Sequence, residues 1–110
     1  MLTIRKQETF DWPVPVQRPR ADGKFDTHVF TATFKAVSST RFTELMDAHD
    51  DAVVLQTAWV GWSDINDEHG NPLPYSEDAR EMLMEDLAIR RATARAFAEA
   101  MTGQEYRRKN

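Results

Sequence analysis

The stretch "WSDINDEHGNPLPYS", residues 62–76, sets Asp64, Asn66 and Glu68 at alternate positions ahead of a glycine. Oxygen ligands at that spacing are how an EF-hand loop surrounds calcium. Such a loop also needs glycine at its sixth position and a bidentate glutamate at its twelfth. Counted from Asp64, the sixth residue is His69, because Gly70 comes one place late, and the twelfth is Tyr75, which has no carboxylate. Counted from Asp67, Pro72 falls where the glycine belongs. A turn explains more of the residues. Gly70 supplies positive φ, Asn71 tolerates it, Pro72 and Pro74 stiffen the exit, and Asp67 can accept from nearby amides. Leu73 and Tyr75 then alternate inward and pin the loop to the body. The stretch reads as a stapled turn.

Other reactive side chains are scattered. His28, His49 and His69 lie in three separate segments, and no cysteine is present to act as nucleophile, disulfide partner or zinc ligand. His49-Asp50-Asp51 offers a nitrogen and oxygens to a metal, but without a second ligand cluster. Glu85-Asp86 reads as a solvated helix face, and there is no glycine-rich phosphate loop. The expectation is a protein without catalytic residues, cofactor or metal. The runner-up of that kind is a small ligand- or ion-binding regulator using the 64–70 loop.

The elements that must carry these residues fall into zones. Residues 9–37 have β character. Pro13, Pro15 and Pro19 exclude a helix, whereas Phe10, Trp12, Val14 and Val16 fall two apart on one face of an extended segment. The prolines take the other face, which suits an edge strand. Asp22-Gly23 signals the hairpin turn, and Phe30, Ala32 and Phe34 alternate with Val29, Thr31 and Thr33 in the returning strand. Residues 38–61 read as helical. Ser38, Ser39 or Thr40 caps a first helix carrying Phe42, Leu45 and Met46. Asp50 or Asp51 caps a second, whose apolar face runs through Val54, Leu55, Ala58, Trp59 and Trp62.

After the turn at 62–75, Ser76 caps one long helix over 76–103. Leu83, Leu87, Ala94, Phe97 and Met101 form its core-facing band, and Gly103 closes it. Ala88, Ala92, Ala96 and Ala100 make a ridge that lets another helix approach closely. Internal packing explains the ridge, and a contact between subunits is the alternative. Residues 104–110 form a polar tail. The class is α+β, an N-terminal antiparallel hairpin or small sheet packed against C-terminal helices.

Composition sets the outer limits. The 110 residues suffice for one domain, with 41% hydrophobic and 29% charged residues and a formal net charge of −4. That charge argues against nucleic acid as the main partner, because phosphate neutralisation needs clustered Lys and Arg. The only basic cluster, Arg107-Arg108-Lys109, reads as a solvated end. No apolar run approaches a membrane span, and "MLTIRKQETFDW" lacks the apolar core of a signal peptide, so the chain reads as cytoplasmic. What remains is protein–protein chemistry. Trp12, Trp59 and Trp62, with Phe30 and Phe34 on the hairpin and Ala92 and Ala96 on the ridge, are the candidate interaction residues. Core filling is the favoured role for at least two of the three tryptophans.

Taken in order, "FDWPVPV", "FTATFKAV", "VGWSDINDEHGNPLPYS", a helix and a terminal "RRKN" resemble the tail assembly chaperones of long-tailed phages and prophages. The most telling pieces are Trp62, Asp67 and Gly70, with Pro72-Leu73-Pro74-Tyr75-Ser76 ahead of the alanine-rich helix. The resemblance covers nearly the whole chain. It implies a small, acidic, non-enzymatic protein of the host cytoplasm that holds tape-measure or tail-tube protein ready for assembly and is absent from the finished virion. It implies no catalytic residues and transfers no partner-binding positions. Members are often made in two lengths through a one-nucleotide ribosomal slip. Arg108-Lys109-Asn110 permits the slippery string A-AAA-AAC without requiring it. The alternative in the phage setting is a structural tail or head-tail joining protein.

Overall fold

The computed structural model describes residues 1–4 and 8–103. The elements run β1 (Thr9–Pro19), β2 (Phe25–Lys35), α1 (Ser39–Asp47), α2 (Asp51–Ala58), β3 (Trp59–Ser63), α3 (Glu77–Met84) and α4 (Leu87–Thr102). The three strands form one antiparallel sheet in the order β1-β2-β3, with the helices packed against it. This is an α+β fold. The tail at 104–110, with its Arg107-Arg108-Lys109 cluster, lies outside the described residues.

The hairpin follows directly from its alternation. Thr9 pairs with Lys35 and Pro19 with Phe25, and Gly23 turns the chain at φ 82°. Val14, Val16, Phe30, Ala32 and Phe34 are buried on one face. β1 lies at the sheet edge, as its prolines require. An antiparallel strand turns its N–H groups alternately toward its partner and away, so Pro13, Pro15 and Pro19 can all occupy the outward set. That edge is a poor template for another strand.

Two elements differ from the sequence expectation. Trp59 and Trp62 leave the second helix and belong to β3. Val54, Leu55, Ala58, Trp59 and Trp62 do have helical spacing, but Trp59 is extended at φ −92°, ψ 104°. The open edge of β2 offers a ladder of unpaired backbone groups, and aromatic and β-branched residues suit it. Gly61 allows the approach, since a Cβ there would stand 3.3 Å from that of Thr33. The register shifts between Thr33 and Phe34, leaving Val60 as the extra residue of a bulge.

The second difference is that residues 76–103 form two helices, not one. Asp86 has ψ 113°, and its carboxylate accepts from the N–H groups of Ala88 and Ile89, so it caps a new helix instead of lying on a solvated face. Leu87, expected in the core band, is consequently 54% exposed at the start of α4. The other expected caps form as read. Ser38, Asp50 and Ser76 accept from the amides of Arg41, Ala52 and Ala79, and Gly103 ends α4 in the left-handed region.

Arg18 near the end of β1 reaches Asp86 at 2.7 Å and so ties the interhelical break to the sheet. Burial pushes the Asp86 carboxyl up. The hydrogen bond from Arg18 and the amides of Ile89 and Ala88 outweigh it and hold the group below its ordinary value of 3.8. A lowered carboxylate stabilises the fold fully above that ordinary value, and the contribution disappears as pH falls through the lower folded value. Asp86→Asn should therefore have a lower urea midpoint than the parent at pH 7. The gap should close as the pH drops below 3.8. A gap independent of pH would mean that capping alone, without charge, supports the break.

Candidate functional site

The stapled turn is built around one carboxylate. Asp67 Oδ1 accepts from the N–H of His69 at 2.9 Å and of Asn71 at 3.0 Å, and the Asp67 N–H donates to the Asn71 carbonyl at 2.7 Å. Gly70 takes φ 81° at the tip, and Asn66 bridges to Pro72. The loop is a miniature hairpin that fills one oxygen of Asp67 with its own amides. Among the described residues, no three His, Cys, Asp or Glu side chains group as a metal site. His28, His49 and His69 sit on β2, at the α1–α2 junction and at this tip.

The loop is fastened by aromatics and one arginine. Trp62 Nε1 donates to the Leu73 carbonyl at 2.8 Å, and its ring lies 4.9 Å from Tyr75 and 5.2 Å from Trp59. Arg80, on α3, is only 7% exposed. Its Nη1 donates to the Trp59 carbonyl at 3.0 Å and, at 3.4 Å, to the Gln56 carbonyl and the Tyr75 hydroxyl. One guanidinium thus joins the end of α2, the start of β3, the loop exit and α3. Sequence reasoning missed Arg80, because nothing marks an arginine in an acidic first turn as buried.

The anticipated interaction residues divide by depth. Phe30, Phe34, Trp59 and Ala96 are buried in the core, Phe34 against Phe97 and Phe30 against Trp59. Trp12, Trp62 and Ala92 are half-buried at its margin. Trp12 meets the edge of Phe10, at 6.5 Å. The structure therefore brings most of these residues together, but inside the protein. α4 packs on β1 and α2, so the alanine ridge serves close internal packing along at least part of its length.

Exposed chemistry concentrates elsewhere. Residues 38–86 contain twelve Asp and Glu against two Arg, a net of −10, so the remaining residues carry +6. Both arginines are engaged within the span, the buried Arg80 at 3.8 Å from Glu81 and Arg41 at 3.7 Å from Glu44. Within the same span Met82 is 58% exposed, and Val53, Val60 and Tyr75 are also exposed. Local charge balance was readable in the sequence, but the whole-chain value of −4 conceals it.

No helix among the described residues is long and apolar enough to cross a membrane. Comparison of the chain with known protein families, with curated proteins and with solved structures finds no match.

Proposed function

We propose that this chain is a non-enzymatic tail assembly chaperone of a long-tailed phage or prophage, acting in the host cytoplasm. It would cover apolar surface on tape-measure or tail-tube protein until assembly. The observation that carries this reading is the segregation of charge, with a net of −10 over residues 38–86 and exposed Val53 and Met82 among the acids. A surface of that composition suits an amphipathic segment with an apolar stripe and basic flanks. Its charge steers encounter, and its apolar side chains supply contact. The ordered motifs from "FDWPVPV" to "NPLPYS" support the same reading. With Phe30 and Phe34 of the hairpin and Trp59 of β3 buried, the masking surface is drawn instead from exposed residues of the 38–86 span.

A chaperone makes a temporary contact, whereas a structural tail or head-tail joining protein remains in the particle. Mass spectrometry of purified virions, or of induced prophage tails, should find this chain missing. Affinity purification from the lysate should recover it with tape-measure or tube protein. Stoichiometric recovery from finished tails would reassign it to the particle.

A further inference from the structure

The turn between β1 and β2 brings together the two groups of a backbone rearrangement. Asp22-Gly23 is the only Asp-Gly step in the sequence, and no Asn-Gly step occurs. The Arg20 N–H donates to the Lys24 carbonyl at 2.7 Å, and the Gly23 N–H donates to the Arg20 carbonyl at 3.2 Å. Gly23 takes φ 82°, and a Cβ built on it would meet nothing within 4 Å. No side chain therefore crowds the Gly23 backbone, and the Asp22 side chain beside it is exposed.

An aspartate side chain in its acid form condenses with the amide of the next residue when that residue is glycine. The Gly23 nitrogen bonds to Asp22 Cγ, the C–OH bond of the carboxyl breaks, and the hydroxyl leaves as water with the amide proton. Water then adds to the cyclic imide at either carbonyl. Breaking the bond to Cγ restores aspartate. Breaking the bond to the main-chain carbonyl carbon leaves the chain running through Cγ, as isoaspartate with one extra backbone methylene.

Both reacting groups are restrained by Arg20. Its Nε and Nη2 donate to Asp22 Oδ1 and Oδ2, and the Lys24 N–H donates to Oδ1 at 3.1 Å. The guanidinium first, and then the Lys24 amide, hold the Asp22 carboxyl below its ordinary value of 3.8, so the reactive acid form is scarce. The Gly23 N–H is bound to the Arg20 carbonyl and must leave it before the nitrogen attacks.

We propose that Asp22-Gly23 is a site of spontaneous isoaspartate formation and that the Arg20 guanidinium holds the reaction in check. The proposal is independent of the chaperone reading. Full-length parent and Arg20→Gln are incubated at neutral pH and digested, and chromatography with fragmentation mass spectrometry measures isoaspartate at residue 22. Folded Arg20→Gln should accumulate it at roughly three times the parent rate or faster. In concentrated urea the parent should speed up and the two chains should react alike, because the fork on Asp22 belongs to the folded turn. Asp26→Asn removes the other carboxylate partner of Arg20 and leaves that fork, so its folded form should stay near the parent rate. A folded Arg20→Gln no faster than the parent overturns the proposal, as does a folded parent that reacts as fast as its unfolded form. So does an Asp26→Asn as fast as Arg20→Gln, which would trace the effect to a loosened turn, or a difference that persists in urea.

Discussion

Phe97→Ala is expected to lower the free energy of unfolding by about 3–5 kcal/mol, a large part of what holds a domain of this size. Phe97 is fully buried, 5.3 Å from the ring of Phe34 and 6.0 Å from that of Phe42. It is where α4, the central strand and α1 meet. Alanine removes the apolar burial and leaves a void lined by side chains from three elements that cannot all relax into it. Urea denaturation followed by circular dichroism measures the loss. Leu87→Ala, 54% exposed on the same helix, should change stability by no more than about 0.5 kcal/mol. If the two variants behaved alike, α4 would not be anchored through Phe97.

Arg80→Met should cost about 2–3 kcal/mol, and for a different reason. Methionine roughly keeps the volume but strands the Trp59 carbonyl, and with it the longer contacts to the Gln56 carbonyl and the Tyr75 hydroxyl. Hydrogen bonds from a charged donor contribute about 1.5–3 kcal/mol, and a buried acceptor left alone costs about 1–3. The value stays below a simple sum because Arg80 Nε is itself buried without a partner, so part of the cation's desolvation is uncompensated. Tryptophan fluorescence separates this effect from general loss of packing. Trp59 and Trp62 sit beside the guanidinium's partners, so their emission should change in the folded variant before any unfolding. Arg80→Lys should recover little, because lysine is one atom shorter and its ammonium does not reach the Nη1 position from which all three contacts are made. Full recovery by lysine would show that a cation alone, and not the reach of Nη1, secures the junction.

Some of this protein was legible residue by residue. The β1–β2 hairpin was, because a period of two in Phe10–Val16 and in Phe30–Phe34 has only one extended solution, and Asp22-Gly23 marks the turn between them. The helix starts were too, because Ser38, Asp50 and Ser76 act on amides two or three residues away. The loop at 62–75 yielded to the same logic. Gly70, Asn71 and Pro72 each dictate local geometry, and Asp67 bonds within its own turn. The candidate site was harder to read. An aromatic at strand spacing looks the same in sequence whether it faces a helix or a partner, so the burial of Phe34 and Trp59 had no local signature.

Sequence alone determined what local interactions decide: the α+β class, the hairpin and its turn, the caps at Ser38, Asp50, Ser76 and Gly103, the stapled turn and the strong acidity of residues 38–86. Tertiary structure decided wherever two local answers were close in energy. Trp59–Ser63 carries helical spacing, but the unpaired edge of β2 offered a ladder that a short helix could not match. Glu85-Asp86 could have continued a helix, but Arg18 from a distant strand met Asp86 and favoured a cap instead. Arg80 could have remained in solvent, yet the carbonyls left at the α2–β3 junction needed a donor, and α3 brought one there. In each case the deciding group lies far off in the chain. A buried backbone group or carboxylate must find a partner, and only the folded chain determines which side chain is near enough.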